Sequence, residues 1–211
     1  MQISLSLPAR PAPMALNPDE CAVLVVDMQN EFGSPGGMFD RAGIDIAPIR
    51  ATVGPTAAVL ARARAAGIPV IYLAMQHRAD LADLGPPWSV HHMRHRFLSV
   101  GDTVTLPDGS SNRILIEGHW GTRIIDELAP KPGEIVLPKH RFSGFFQTPL
   151  ESILHGLGVR QLVVTGCTTS ICVESTSAMR CSVISSAACW PIALPNPSAM
   201  ATAAQTTTPR C

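Results

Sequence analysis

The chain has 211 residues, 46% of them apolar and 15% charged, with a formal net charge of zero. That length holds one domain with a sizeable core, and the charge balance carries no footprint of nucleic-acid or anionic-membrane binding. No apolar run reaches bilayer length, and the Pro-rich start lacks the basic and apolar regions of a signal peptide, so a cytoplasmic protein with a flexible arm over residues 1–17 is expected.

The first element is "CAVLVVDMQ", Cys21 to Gln29, a β-branched run suited to a strand buried on both faces. "APIRATVGPTAAVLARARAAG" reads as an amphipathic helix around Leu60, Arg62 and Arg64, stopped by Gly67. "IPVIYLAM", Ile68 to Met75, is a second buried strand. From Gln76 to Gly118 the pattern weakens into Pro, Gly and His clusters, which predicts a long insertion over one sheet edge. "GTRIIDELAP" predicts a short helix and "GEIVLPK" a third strand ending at Lys139. "TPLESILHGLG" is a helix with Thr148 as N-cap, Pro149 in the first turn and Glu151 three residues after the cap. "RQLVVTG" is the fourth strand. This alternation predicts an α/β fold, a Rossmann-like parallel sheet with helices on both faces.

Six cysteines without a signal peptide or a Cys-x-x-Cys pair argue against both a disulfide framework and a zinc knuckle. Cys21 reads as a small buried hydrophobe. "HHMRH" puts His91 and His95 at helical i, i+4 spacing, but the sequence shows no third ligand beside them, and His77 alone makes a poor site. No metal and no other cofactor is expected.

In open α/β sheets ligands bind beyond the carboxyl ends of the strands. Asp27, Lys139 and Cys172 all fall there. A thiol at a helix N-terminus beside an ammonium is expected to have a lowered pKa, and an aspartate can shuttle its proton. Backbone N–H groups of the "TGCTTSIC" turn are aimed where an oxyanion would form. Cys167 lies in the turn itself, ahead of any helix dipole, and reads as structural.

These residues lie in "VVDMQNEF", "LPKHRFSGFFQTPLESIL" and "VVTGCTTSICVEST", and through them the chain, from Pro18 to Thr176, resembles the isochorismatase-like cysteine hydrolases. The resemblance implies a catalytic triad of Asp27, Lys139 and Cys172. It also implies a cis peptide at Cys167–Thr168, with the N–H groups of Thr168 and Cys172 as oxyanion donors. "GGMFDRAG", "GHWGT" and "CVEST" look most like the ureidoacrylate amidohydrolases of pyrimidine breakdown and their biuret- and carbamoyl-cleaving relatives. A departure is Ser170, where the ureidoacrylate enzymes typically carry Asn. The metal-dependent nicotinamidase branch has Asp-x-His after strand two, and here that place reads "MQHRAD".

The expected activity is hydrolysis of a C–N bond in a small ureido or carbamoyl substrate through an acyl-cysteine. Asn30, Gln76, Trp120 and Phe145 are candidate pocket residues, and a homo-oligomer is expected of the folded chain. Rival readings are an inactive truncated member and an isochorismatase- or nicotinamidase-type hydrolase. The truncation reading comes from residues 177–211, which show neither helical nor strand periodicity. Reading Ser177 onward in a neighbouring frame, with permitted codons, yields an amphipathic helix, a β strand and an acidic turn. We therefore read 18–176 as the hydrolase domain and 177–211 as an aberrant, disordered tail produced by a frameshift, with the C-terminal strand and helix of the family lost.

Overall fold

A computed structural model describes residues 5–7, 13–180 and 188–189. Strand β1 (Leu5–Leu7) pairs antiparallel with β2 (Met14–Leu16), and β3 (Cys21–Val26) follows. Short helices α1 (Asn30–Gly33) and α2 (Met38–Arg41) lead to the long α3 (Ala47–Ala65) and then β4 (Val70–Met75). Next come α4 (Val90–Phe97), the hairpin strands β5 (Thr103–Thr105) and β6 (Ser111–Arg113), then β7 (Ile135–Lys139), α5 (Leu150–Gly156) and β8 (Gln161–Gly166). A π-helical turn over Thr169–Val173 runs into α6 (Glu174–Arg180), and a two-residue strand β9 (Ala188–Cys189) closes the order.

The main sheet is parallel, in the order β7-β4-β3-β8-β9. Every residue of β3 and β4 is buried, as expected for apolar runs covered on both faces. Leu24, Ile71, Leu73, Leu162 and Val164 centre the core, joined by Leu60 of α3 and by Leu150 and Leu154 of α5. The chain leaves β3 toward β4 on one side and later returns as β8 on the other. The crevice between the carboxyl ends of β3 and β8 is therefore a topological switch point, the usual ligand position in such sheets. Among the described strands β7 is the outer one, beside β4. Its Lys139 carbonyl accepts from Gln76 N at 3.1 Å, so the neighbouring Pro138 faces away from the sheet.

The four predicted strands of the sheet are present, and the helices expected after β3 and β7 are α3 and α5. The cap of α5 falls at Pro149, one residue later than the predicted Thr148, whose hydroxyl accepts from Leu150 N at 3.3 Å. The helix predicted over 121–130 is absent. Two 3-10 turns, Trp120–Thr122 and Asp126–Leu128, stand there instead. The cause is tertiary: Arg123 O accepts from Asn30 N, Ile125 N donates to Met28 O, and Thr122 O accepts from the Gln29 side chain. These bonds take the groups that an α-helical ladder needs.

The insertion over 76–118 contains α4 and the β5–β6 hairpin. The segment expected to be a loose arm holds the β1–β2 pair, and Asn17 N donates to Gln161 Oε1 of β8 at 2.7 Å. At the other end α6 continues through Ser177 to Arg180, and β9 pairs with β8 at Val163 and Val164. The helix after Cys172 thus runs four residues into the segment read as an aberrant tail, and β8 has a two-residue neighbour there. The rest of the reading for 177–211 lies outside the described residues. Among those residues no helix is long and apolar enough to cross a membrane.

Candidate active site

Register places the site. Val26 lies opposite Gly166 across β3 and β8, and Met75 opposite Lys139 across β4 and β7. Asp27, the residue after β3, takes a left-handed backbone conformation with φ of 51°, uncommon for any residue with a Cβ and a frequent mark of a functional position. Its N–H still bonds Leu73 O at 2.9 Å, and its Oδ1 accepts from Met75 N at 3.1 Å. Gly166 ends β8 with φ of 123°, and a Cβ there would stand 2.0 Å from Val26 O. Only glycine lets β8 approach β3 so closely at this point.

Lys139 Nζ lies 2.8 Å from Asp27 Oδ2, and both side chains are fully buried. The Cys172 side chain interacts with both. The three predicted residues thus converge from three strands. Burial pushes the Asp27 carboxyl up, opposed by the Lys139 ammonium and by Cys172. Burial works against the Lys139 ammonium, but the Asp27 carboxylate and Cys172 outweigh it and its pKa is raised.

The thiol departs from expectation. Burial, and then the Asp27 carboxylate, drive the Cys172 pKa upward, and Lys139 offsets only part of this. A lowered pKa was expected from the helix start, yet Cys172 sits within a π-helical turn, buried, against a carboxylate. The raised pKa favours the thiol over the thiolate, and a thiol that is to react needs an acceptor for its proton. Asp27 is in place to be one.

Cys167 does something else. Its Sγ lies 3.1 Å from Asp27 O, so the thiol donates to the backbone and pins the turn after β8 to the end of β3. The Cys167–Thr168 peptide is cis, as the resemblance implied. Cys21, Cys167 and Cys172 are buried and unbridged.

The pocket candidates separate. Asn30 is buried, with its amide engaged on both ends: Nδ2 donates to Trp120 O at 3.0 Å, and Oδ1 accepts from Ser34 Oγ at 2.8 Å. Its direct effect is to hold the Trp120 turn. Gln76 lines an open groove of about 520 Å³ with Arg78, Asp80, Glu117, Pro138 and His140. Trp120 and Phe145 are half-buried, Phe145 packed against the core.

Two residues escaped the sequence reading. Gln29 is buried and clamps Met75 from both sides, accepting from its N–H at 2.8 Å and donating to its carbonyl at 2.9 Å, with a further bond to Thr122 O. Glu31 is buried and accepts from Met38 N, Asn112 Nδ2 and Leu115 N, so one carboxylate ties α1 to the insertion. Both lie in the quoted "VVDMQNEF" stretch, but polar residues after a strand give no local signal of such distant partners.

A third finding concerns the histidines. His77, His91 and His95 offer ring nitrogens that all lie within 4.8 Å of one another, so the third ligand missing from the sequence reading is supplied by the fold. Burial lowers all three pKa values, to about 4, 3 and 2 respectively, which keeps the rings neutral near pH 7.

With this geometry in place, kinship decides the family. The model of the isochorismatase domain matches residues 21–179. The chain belongs to the isochorismatase family. This family member is 42% identical over 173 residues to a ureidoacrylate amidohydrolase RutB of Rhizobium rhizogenes strain K84, covering 82% of this chain and 69% of the relative. It is also 42% identical over 170 residues to the RutB of Azorhizobium caulinodans, covering 81% and 74%. Among solved structures, a cysteine hydrolase from Pseudomonas syringae pv. phaseolicola 1448A superposes with a TM-score of 0.65 at 30% identity, covering 79% of this chain and 68% of that one. An N-carbamoylsarcosine amidase from Thermoplasma acidophilum gives 0.56 at 29% identity, covering 78% of each chain. The isochorismatase-like parallel sheet read from the sequence is thus the fold of the chain.

Proposed function

We propose that this isochorismatase-family chain is a cysteine amidohydrolase that cleaves a C–N bond of a small ureido or carbamoyl substrate. It is a hydrolase of the ureidoacrylate amidohydrolase type by its relatives, and a similar structure bears the name of an amidase of a carbamoylated amine. The observation that carries the mechanism is the convergence of Cys172, Asp27 and Lys139 in a site shut from bulk water.

Asp27 takes the Cys172 S–H proton as the sulfur adds to the substrate carbonyl. The oxyanion is received by the N–H groups of Thr168 and Cys172. Collapse breaks the C–N bond, and Asp27 returns the proton to the leaving nitrogen. Water then adds to the acyl-cysteine, giving a proton to Asp27, and the second collapse restores the thiol. Lys139 stays protonated throughout and holds the carboxylate in line. Gln76 lines the open groove, and Asn30 holds the Trp120 turn. A cytoplasmic, homo-oligomeric enzyme of pyrimidine breakdown remains part of this proposal.

The test is turnover of ureidoacrylate and biuret, with intact-mass detection of the acyl-enzyme after rapid acid quench. An acyl adduct confined to the peptide carrying Cys172 supports the mechanism. Turnover that persists in Cys172→Ala would sink it.

A further inference from the structure

Three buried imidazoles meet beyond the carboxyl end of β4. His77 follows that strand, and His91 and His95 sit one turn apart on the inner face of α4. His77 has its two nitrogens assigned by its neighbours. Nδ1 lies 3.2 Å from Asp83 Oδ1, and Nε2 faces His95 Nδ1 at 3.0 Å. A carboxylate on Nδ1 fixes the proton there and turns the Nε2 lone pair toward the other two rings, the arrangement that commonly stands behind a metal-bound histidine. His91 is 6% exposed, and neither of its ring nitrogens has a hydrogen-bond partner among the described residues. A desolvated polar atom without a partner is costly and calls for a ligand. Phe142 closes the cluster, its ring 5.0 Å from that of His91 and 6.1 Å from that of His95.

We propose that His77, His91 and His95 together bind one borderline divalent transition-metal ion, of which Zn²⁺ is the type, with Asp83 orienting His77 from behind. Zinc–imidazole bonds of about 2.0–2.1 Å place tetrahedral ligand nitrogens about 3.3 Å apart. The observed spacings, 3.0 Å for one pair and at most 4.8 Å for any, need only a small turn of the rings. On binding, His95 presents its Nδ1 lone pair and keeps its proton on Nε2. Three imidazoles without a thiolate suit Zn²⁺, Co²⁺ or Ni²⁺ rather than Mg²⁺ or Ca²⁺. The set differs from the Asp-x-His arrangement of the nicotinamidase branch, because Met75 stands two residues before His77 and two of the three ligands come from α4. Bound there, the ion clamps α4 to the end of β4, the strand that carries the partner of Lys139 in register. It acts on the insertion, not on the reacting atoms.

The experiment uses the full chain, stripped with chelator and titrated with Zn²⁺ and, separately, with Co²⁺. Expected are uptake of one equivalent, a visible four-coordinate Co²⁺ spectrum, and a rise in Tm of about 5–10 °C at Zn²⁺ a hundredfold above Kd. His91→Ala and His95→Ala should each lose at least tenfold in affinity, and Asp83→Asn about ten- to a hundredfold. His155→Ala, exposed on α5, should bind as the parent does. No stoichiometric uptake by the parent chain, or unchanged affinity in both α4 variants, overturns the proposal. X-ray absorption of the zinc-loaded parent decides the matter even where a variant misfolds: three imidazoles support the site, and fewer than three reject it.

Discussion

Thr176 Oγ1 accepts a hydrogen bond from Gly144 N at 2.9 Å, and this one bond joins the helix after Cys172 to the loop after Lys139. Thr176 is 1% exposed, so the Gly144 N–H has no water to turn to if the hydroxyl is removed. Thr176→Val should therefore cost about 1–3 kcal/mol of stability and lower turnover, while Thr176→Ser keeps most of both. Urea unfolding and kcat for the two variants make the comparison. Equal stability of Val and Ser variants would mean the bond is not needed.

The two buried cysteines of the site should behave differently. Cys172→Ala should lower kcat/KM at least about 10³-fold, because the proposed covalent route disappears. Cys167→Ala removes only a thiol donor to Asp27 O and should retain activity within about tenfold. A comparable loss in both variants would reverse the assignment of roles.

The raised thiol pKa has its own readout. Alkylation of Cys172 by iodoacetamide in the native chain should show no wave near pH 8.5, the value of an unperturbed thiol, and should rise only at higher pH. Mapping the label by peptide mass across pH 6 to 10 checks this. A fast reaction near neutrality would show that the thiolate is the resting form.

Lys139 pulls the Asp27 carboxyl down against burial, so its loss should let that pKa rise further. In the proposed mechanism activity requires ionised Asp27 and grows as pH rises through its pKa. The acid limb of the kcat/KM profile should consequently move to higher pH in Lys139→Gln. Removing one partner of a buried pair should also destabilise the fold by about 3–5 kcal/mol. A limb that stays in place would separate Lys139 from the ionisation of Asp27.

The strands were legible because β-branched runs bounded by Gly and Pro have few other uses, and because Asp27, Lys139 and Cys172 each follow or end such a run. Nothing local marked what crosses the chain. Glu31 meets Asn112 and Leu115, and His77 meets His91 and His95, through contacts that appear only once the insertion has packed. The segment over 121–130 has a helical pattern, yet Met28, Gln29 and Asn30 claim its backbone groups. The Cys172 pKa was misjudged for a related reason. Position at a helix start can be read from sequence, but burial against a carboxylate cannot.

The frameshift reading makes a prediction of its own. A version carrying the neighbouring frame from Ser177 should unfold more cooperatively, with a Tm at least about 10 °C higher, and should turn over substrate faster. The reason is that the restored segment brings a longer apolar helix face and a full strand beside β8, where the described structure has the two residues of β9. Side-by-side calorimetry and ureidoacrylate hydrolysis at equal concentration test it. No gain in either would dismiss the frameshift.

Pro138 sits on the outer strand, one residue before the lysine of the site, and its nitrogen faces away from the sheet. An open strand edge invites another chain to add itself, and a proline there withholds the donor that such an addition would use. The lysine-bearing edge is thereby protected from strand-to-strand aggregation, so a Pro138→Val chain should form intermolecular β-structure on concentration even while its own fold stays intact.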